Sequence, residues 1–362
     1  MAAISSGLFF LYPLDPLYIF IGRLLAGLSH GIAYLTVLIH GCEVAVPKIR
    51  GYVLTTIHLC LLIGIFTFST SILYDNETSL FDSNQQLGIY GLIYVSLGLM
   101  LGICLSRESP VFLIQQQREQ EAIEIMIRLR SESTENQEIK NDFNELKTML
   151  SEDTQNDEKL FDPNNRNSLF LIMLLKISFV ISFNLPLNLI WLNSGATQFD
   201  NSLTNSSGMI LSCLRFIVTF VVMFAVDSRK KMLIITSTGL LGAIFLLTAI
   251  LYKFPVDGSM GIMFMAFLFQ FFGGLGIGSI GDIYSTEAFN TTNKAASIAF
   301  TSSIEFLLQL LLIFITFYVD ISFFTMMTIF CIIMFLVCNI IVFYLPETGK
   351  MSLREARNQF YK

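Results

Sequence analysis

The sequence has few charged residues: only 14% of its 362 positions are Asp, Glu, Lys or Arg, against roughly 25% in an ordinary soluble domain. Hydrophobic residues make up 54% of the chain. This balance excludes an ordinary soluble protein and indicates a chain that lies in a membrane. The net charge of −6 gives no reason to expect nucleic acid as a partner, whereas a lipid bilayer is an expected one.

Several kinds of chemical site are also missing. The six cysteines form no Cys-x-x-Cys pair and no Cys/His cluster, so we interpret them as small buried apolar residues and expect no metal or disulfide. No nucleophile, base and orienting group recur together, which argues against an enzyme. The glycines between positions 273 and 281 follow no strand and precede no Lys-Ser/Thr, so they are not a phosphate loop and no cofactor is expected.

What the sequence does contain is a series of apolar runs of about 20 residues, the length that a helix needs to cross a bilayer core of about 30 Å. The first run, residues 2–14, is too short and is expected to be the tail of a longer helix. We predict an all-α membrane protein with about ten hydrophobic segments, the first one partial. The others are expected at 17–41, 52–74, 87–106, 168–192, 208–226, 232–252, 259–284, 296–319 and 321–345.

These runs divide the chain into four predicted parts. They are a partial N-terminal transmembrane half (1–106), a helical insert (107–167), a six-helix C-terminal half (168–345) and a polar tail (346–362). The insert alternates charges with apolar residues at helical spacing. It is either a linker packed on the surface or a module that binds a partner. Its expected apolar stripes are Ile123 and Ile127, and then Ile139, Phe143, Leu146 and Leu150.

The distribution of Lys and Arg predicts the orientation of the chain. If the spans alternate, almost all basic residues, including those of the insert and the tail, fall on one side. By the positive-inside rule that side is cytoplasmic, and so are both termini. The sequons at Asn76 and Asn205 then lie outside and are candidate glycosylation sites. We expect a multi-pass protein of the plasma membrane.

Two acid-base patterns recur at a similar separation. Glu43 precedes Arg50 by seven residues, and Glu287 precedes Lys294 by seven. Glu108 and Glu347 close two other apolar runs that are nearly as far apart as these pairs. The recurrence predicts a duplicated half, as in many transporters, although chance remains an alternative.

Polar residues inside the apolar runs are the candidates for a site, because charge in a bilayer is costly and tends to face a bundle interior. The charged ones well within the runs are Arg23, Arg215, Asp282 and Glu305. Some of the polar residues are four positions apart, so both members of such a pair lie on the same face of a helix. These faces either line a cavity or hydrogen-bond helices together. The substrate-cavity candidates are His58, Asn184, Asn188, Asp282, Glu305 and Gln309.

Motifs along nearly the whole chain resemble those of the sugar-porter branch of the major facilitator superfamily. Within that branch the resemblance is greatest to the insect facilitated trehalose transporters. The pattern from Gly22-Arg23 to Glu43 and Arg50-Gly51 resembles that family's fourth span and the loop after it. Glu108-Ser109-Pro110, Asp227 with Arg229, and Pro346-Glu347-Thr348 resemble three further motifs. The resemblance implies the major facilitator fold and charges that hold an inner gate shut. The gating charges would be Arg23, Glu43, Arg50, Glu108, Asp227, Arg229, Glu287, Lys294 and Glu347.

The family's sugar site is matched poorly. His58 stands where the family's fifth span carries Gln, and Glu305 replaces the Asn of the eleventh. Gly281 and Asp282 stand where the tenth span carries Pro and Trp, and only Asn188 is kept from the seventh-span motif. Losing the amides and the Trp weakens the case for a sugar. Two acids without partners in a low-dielectric region would instead favour a cationic or proton-coupled substrate.

The resemblance also implies that the first two spans and part of the third are absent. The sequence is then either a partial gene model or a chain that has abandoned ordinary transport. We expect uptake of a sugar, hexose or trehalose-like, or of a similar small polar solute by alternating access. The alternative is a non-transporting membrane sensor or scaffold, or an inactive truncated paralogue.

Overall fold

A computed structural model describes residues 1–73, 81–155, 161–183, 201–254, 258–319 and 321–361. Over these residues the regular structure is helical. One short 3-10 helix, Pro47–Ile49, precedes the third α-helix. The α-helices are α1 (Ala2–Leu11), α2 (Pro16–Val44), α3 (Arg50–Leu73), α4 (Ser83–Leu105), α5 (Pro110–Gln115), α6 (Glu119–Leu129), α7 (Gln137–Gln155), α8 (Pro163–Ser182), α9 (Asn201–Met223), α10 (Lys230–Lys253), α11 (Gly258–Gly274), α12 (Ile277–Ala288), α13 (Lys294–Tyr318), α14 (Phe323–Tyr344) and α15 (Leu353–Phe360).

Eight stretches of the described residues are helical, long and apolar enough to cross a membrane, and α1 and the Gly208–Met223 part of α9 are shorter apolar helices. The all-helical membrane architecture predicted from the sequence is therefore confirmed. The glycine-rich run expected as one span at 259–284 is two helices, α11 and α12. The break falls at Leu275 and Gly276, where Leu275 N–H still bonds to Phe272 O.

The described chain forms two compact units, residues 1–44 with 63–150 and residues 45–62 with 151–362. Helix α3 contributes its first half to the second unit and its remainder to the first. The four-part division of the sequence concerns placement relative to the membrane and stays a prediction.

In the first unit, α1 packs closely against α2 and α4. Small residues permit the approach: Ser5 Oγ donates to Gly22 O at 2.7 Å. A Cβ on Gly88 of α4 would lie 2.7 Å from the Phe10 amide nitrogen and the Ser6 carbonyl oxygen. The absence of a side chain there lets the α4 backbone reach the α1 backbone, as small residues do at helix contacts in membranes.

The insert builds its own small core within the first unit. Buried residues of α5, α6 and α7, including Leu113, Met126 and Phe143, pack together. The six residues of the expected stripes are all part of this cluster or packed against it. Burial of both stripes inside the segment favours the packed-linker interpretation over an apolar face reserved for a partner.

In the second unit, α8 lies against α12, α13 and α14, and α10 lies against α14 and α11. The tail helix α15 begins with a capping box made by Ser352 and Glu355. Its Arg354 and Arg357 bind Glu152 and Asp153 at the end of α7. These ion pairs tie the polar tail to the end of α7, which belongs to the insert.

Candidate functional site

A lysine held by two carboxylates lies at the centre of the second unit. Lys176 Nζ of α8 is 2.6 Å from Asp282 Oδ1 of α12 and 2.8 Å from Glu305 Oε2 of α13. All three side chains are buried. We name Lys176, Asp282 and Glu305 the lysine triad, which joins three helices through one ammonium group.

Sequence reasoning identified both acids but missed the lysine. Lys176 interrupts the apolar run Leu-Ile-Met-Leu-Leu-Lys-Ile-Ser-Phe, and a lone ionisable residue inside a span is a functional candidate by itself. The argument for a cationic or proton-coupled substrate required that Asp282 and Glu305 have no partner. The structure does not meet that condition, because an internal cation already occupies the position between them.

His58 of α3 lies among aromatic rings of α8. Its ring is 5.9 Å from that of Phe179 and 6.2 Å from that of Phe183, in edge-on contacts. A Cβ on Gly278 of α12 would lie only 2.2 Å from His58 Nε2. The histidine therefore fits only because position 278 has no side chain, and Asp282 follows one turn later on the same helix.

Several buried polar side-chain atoms of the second unit have no hydrogen-bond partner among the described residues, and four of them lie on α3, α12 and α13 beside the candidate site residues. These four are Thr55 Oγ1, His58 Nε2, Ser279 Oγ and Ser302 Oγ. Thr55 precedes His58 by three positions, as Ser279 precedes Asp282 and Ser302 precedes Glu305, so each hydroxyl shares a helix face with a polar or charged group. Buried polar groups are normally paired, so this set has unused capacity to bind a polar molecule.

Arg215 of α9 extends the polar region. Its guanidinium donates to Ser182 O at 2.7 Å, to Gln270 Oε1 at 3.3 Å and to Gly273 O at 3.4 Å. It also lies over the Phe183 ring, 4.6 Å from the ring centre. One aromatic ring thus contacts both Arg215 and His58, so a positive charge lies one ring away from the histidine.

Of the remaining cavity candidates, Gln309 is described and two asparagines are not. Gln309 Nε2 donates to Glu305 Oε1 at 3.4 Å, one turn along α13. Asn184 and Asn188 lie outside the described residues. The role of these residues as substrate ligands stays a prediction.

A second buried charge cluster is centred on Glu287, near the end of α12. Its Oε1 is 3.2 Å from Arg50 Nη1 and 2.7 Å from Lys230 Nζ. Its Oε2 accepts from Thr348 Oγ1 at 2.7 Å. Arg50 also donates to Met351 O at 3.2 Å. We name Arg50, Lys230, Glu287 and Thr348 the Glu287 cluster.

The partners within this cluster differ from the simplest sequence pairing. Glu287 binds Arg50 and Lys230, whereas Lys294 is buried at the start of α13 without a described ion pair. Of the three basic residues after Asp227, Arg229 is exposed, Lys231 is half-buried and Lys230 is buried. Lys230 is therefore the basic residue of that motif that makes the ion pair.

Two other candidate charges cap helices. Asp227 accepts from the Gly51 amide at 2.6 Å and the Tyr52 amide at 3.0 Å, at the beginning of α3. Glu347 accepts from the Lys231 amide at 3.1 Å, at the beginning of α10. Both carboxylates satisfy amides that have no partner inside their own helix.

Replacing Asp227 by alanine is expected to lower the free energy of unfolding by about 1 kcal/mol, because the cap of α3 is lost. Asn should keep most of it, and Ser228→Ala, at an exposed neighbour, is the matched control. Melting of the purified protein in detergent measures the difference. Equal melting of D227A and S228A would contradict the capping role.

The difference in stability between wild type and D227N should also depend on pH. Burial raises the pKa of Asp227 above its ordinary value, and the Gly51 and Tyr52 amides oppose the rise. The folded state then binds this proton more tightly than the unfolded chain. Wild-type stability relative to D227N should therefore rise as pH falls through the raised pKa, and should level off below the ordinary Asp pKa of about 4.

In the first unit, the candidate charges are less buried. Glu43 at the end of α2 accepts from Ser109 Oγ at 2.6 Å, just before α5. Glu108 is exposed and lies 3.2 Å from Arg118. Arg23 is exposed, with its guanidinium 6.0 Å from the Phe9 ring centre. An ion-pair role for Arg23 and Glu43 stays a prediction.

Glycosylation of Asn76 and Asn205 stays a prediction. Asn76 lies outside the described residues. Asn205 falls in the second turn of α9. Over the described part of the chain, no cluster of His, Cys, Asp and Glu could hold a metal ion.

Comparison with known proteins assigns the family. A family model described as "Sugar (and other) transporter" matches residues 1–360. Probable polyol transporter 3 of Arabidopsis thaliana is 25% identical over 302 residues, which cover 74% of this chain and 58% of that protein. High-affinity gluconate transporter ght3 of Schizosaccharomyces pombe is 32% identical over 139 residues, 36% of this chain and 23% of that protein. The chain thus spans a little over half of the plant relative.

Solved structures give the fold. The proton:xylose symporter XylE, a major facilitator superfamily protein bound to 6-bromo-6-deoxy-D-glucose, aligns with a TM-score of 0.79 at 16% identity, covering 99% of this chain and 82% of that one. The partially occluded inward-open conformation of XylE from E. coli aligns with a TM-score of 0.67 over 96% and 80%, also at 16% identity.

These findings confirm the predicted major facilitator fold and a multi-pass membrane protein of a transporter family. The finer resemblance to insect trehalose transporters stays a prediction. The match over residues 1–360 shows that the chain belongs to the sugar (and other) transporter family.

Proposed function

We propose that this protein moves a sugar, a polyol or a similar small polar solute across a membrane by alternating access. The observation that carries the proposal is the set of buried, unpartnered polar atoms of Thr55, His58, Ser279 and Ser302. Each costs free energy while it has no partner. A solute with several hydroxyl groups, each both donor and acceptor, would supply the missing partners.

The Glu287 cluster suits the conformational part of this function. Arg50, Lys230 and Thr348 converge on one carboxylate from three segments of the second unit. Ion pairs of this kind stabilise one packing of helices and are lost in another. We infer that the cluster favours the state in which the cytoplasmic end is closed. The cytoplasmic placement of both termini and residence in the plasma membrane belong to the same proposal.

Uptake into liposomes tests the transport proposal. The full chain is reconstituted, and entry of radiolabelled glucose, xylose and mannitol is compared with protein-free liposomes. Saturable uptake that is accelerated by unlabelled solute inside the vesicle is expected, because alternating access returns an occupied site faster than an empty one. The double variant Thr55→Val and Ser279→Ala should lower the affinity, and Ser303→Ala, at an exposed serine of α13, should not.

Two results of these measurements would contradict the proposed function. Folded protein that binds these solutes but moves none of them would overturn transport and favour the alternative of a non-transporting sensor. Folded protein that neither binds nor moves them would overturn the solute class as well.

A further inference from the structure

We propose that Lys176 sets the charge class of the solute, so that the site selects neutral polyhydroxylated molecules over cationic ones. The proposal rests on the proposed function, because it assumes that a solute binds beside the lysine triad. It goes beyond the family assignment, since the motifs that define the family resemblance do not include this lysine.

The geometry of the triad carries the first step. One ammonium lies within 2.8 Å of both Asp282 and Glu305, so both carboxylates are already engaged by a cation that is part of the chain. A cationic solute would have to displace an ammonium group that is covalently held in place. In a buried region the attraction lost in such an exchange is large, because charges interact far more strongly than in water.

The neighbouring cation completes the charge balance. The triad alone carries one excess negative charge when all three groups are ionised. Arg215 lies over the Phe183 ring, which also contacts His58, and His58 in turn approaches α12 at Gly278, one turn before Asp282. With neutral His58 the four ionisable groups Lys176, Arg215, Asp282 and Glu305 sum to zero. Such a region penalises any solute that brings a net charge.

Lys176 is therefore the group whose removal should invert the preference. Without its ammonium, two buried carboxylates remain with no cation between them, and a solute amine can take that place. The converse change, neutral residues in place of both acids, leaves an uncompensated ammonium that favours a carboxylate-bearing solute.

The experiment uses three probes of nearly equal shape: glucose, its cationic analogue glucosamine and its anionic analogue glucuronate. Binding to the purified full chain is measured by ligand-induced thermal stabilisation, at a pH at which the amine is protonated. Wild type should prefer glucose. Lys176→Gln should shift the preference toward glucosamine by about tenfold, and the double variant Asp282→Asn and Glu305→Gln should shift it toward glucuronate by about tenfold.

A triple variant, Lys176→Gln with both acid replacements, is the matched control and should return the preference to glucose. If Lys176→Gln fails to fold, the double and triple variants still test the inference. The same probe order in every variant would overturn it, and so would the absence of any response.

Because the measurement reports binding, its outcome is separable from that of the uptake assay. A protein that binds with the predicted switches but does not transport refutes the transport proposal alone. A protein that transports glucose with no switch refutes this inference alone.

Discussion

Replacing Glu287 by alanine is expected to destabilise the protein by about 3–5 kcal/mol, the cost of removing one partner from a buried charge network. Glu287 is the only carboxylate described within 4.0 Å of either Arg50 or Lys230. Its loss leaves two buried cations side by side and removes the acceptor of Thr348. Glu287→Gln keeps the shape and one acceptor, and should be damaging to a smaller degree.

The measurement is thermal unfolding of the purified protein in detergent, with Glu121→Ala as the control. Glu121 also pairs with an arginine, Arg118, but both side chains are exposed. Exposed pairs contribute little to stability, because water screens the attraction between the charges. Burial therefore predicts a large difference between two variants that each remove one Glu–Arg pair. Similar melting of the two would show that the Glu287 cluster contributes no more than a surface pair.

A functional readout separates gating from stability. If the cluster holds one end closed, Glu287→Gln should change uptake more than its melting temperature predicts, because the populations of the two access states shift along with the stability. Glu121→Ala, which removes an exposed ion pair and none of the contacts of the Glu287 cluster, provides the comparison. Uptake that falls only in proportion to stability would remove the gating role and leave the cluster a structural one.

The members of the Glu287 cluster show how far the sequence could go. Motif matching identified Glu287 and Arg50, because an acid at the end of a predicted helix can be recognised from the sequence alone. The second partner of Glu287, Lys230, could not be identified in this way. It lies 57 positions from Glu287, whereas Lys294 is only seven positions away in the sequence. Spacing reports which residues share a helix face, whereas ion pairs between helices depend on which faces meet.

Lys176 was missed for a related reason. A polar face is visible in a sequence where two polar residues lie four positions apart, whereas the residues four before and four after Lys176 are Ile172 and Val180. A single lysine also barely alters the hydrophobic character of a 20-residue run, so α8 was predicted as a span and its charge was overlooked. The helices themselves could be predicted well, since length and apolar composition decide them locally.

The contact between His58 and Gly278 leads to a prediction about packing in the candidate site. Gly278→Ala is expected to destabilise the protein by roughly 1–3 kcal/mol, the usual cost of overpacking. The added methyl group would lie 2.2 Å from His58 Nε2, far inside van der Waals contact. The imidazole has little room to retreat, because Phe179 and Phe183 stand against it.

Gly281→Ala is the matched control, since it lies on the same helix. There the added Cβ would meet only Leu175 Cβ at 3.8 Å, an ordinary contact, and alanine is the better helix former. The melting temperature should therefore fall for G278A and should stay the same or rise for G281A.

A double-mutant cycle identifies the cause of the destabilisation. In a His58→Ala background the ring is gone, so Gly278→Ala should cost at least about 1 kcal/mol less than in wild type. Equal costs in the two backgrounds would mean that the damage arises elsewhere on α12. Binding of glucose should follow the same pattern if His58 faces the solute, because a displaced imidazole changes the donor or acceptor that the site offers.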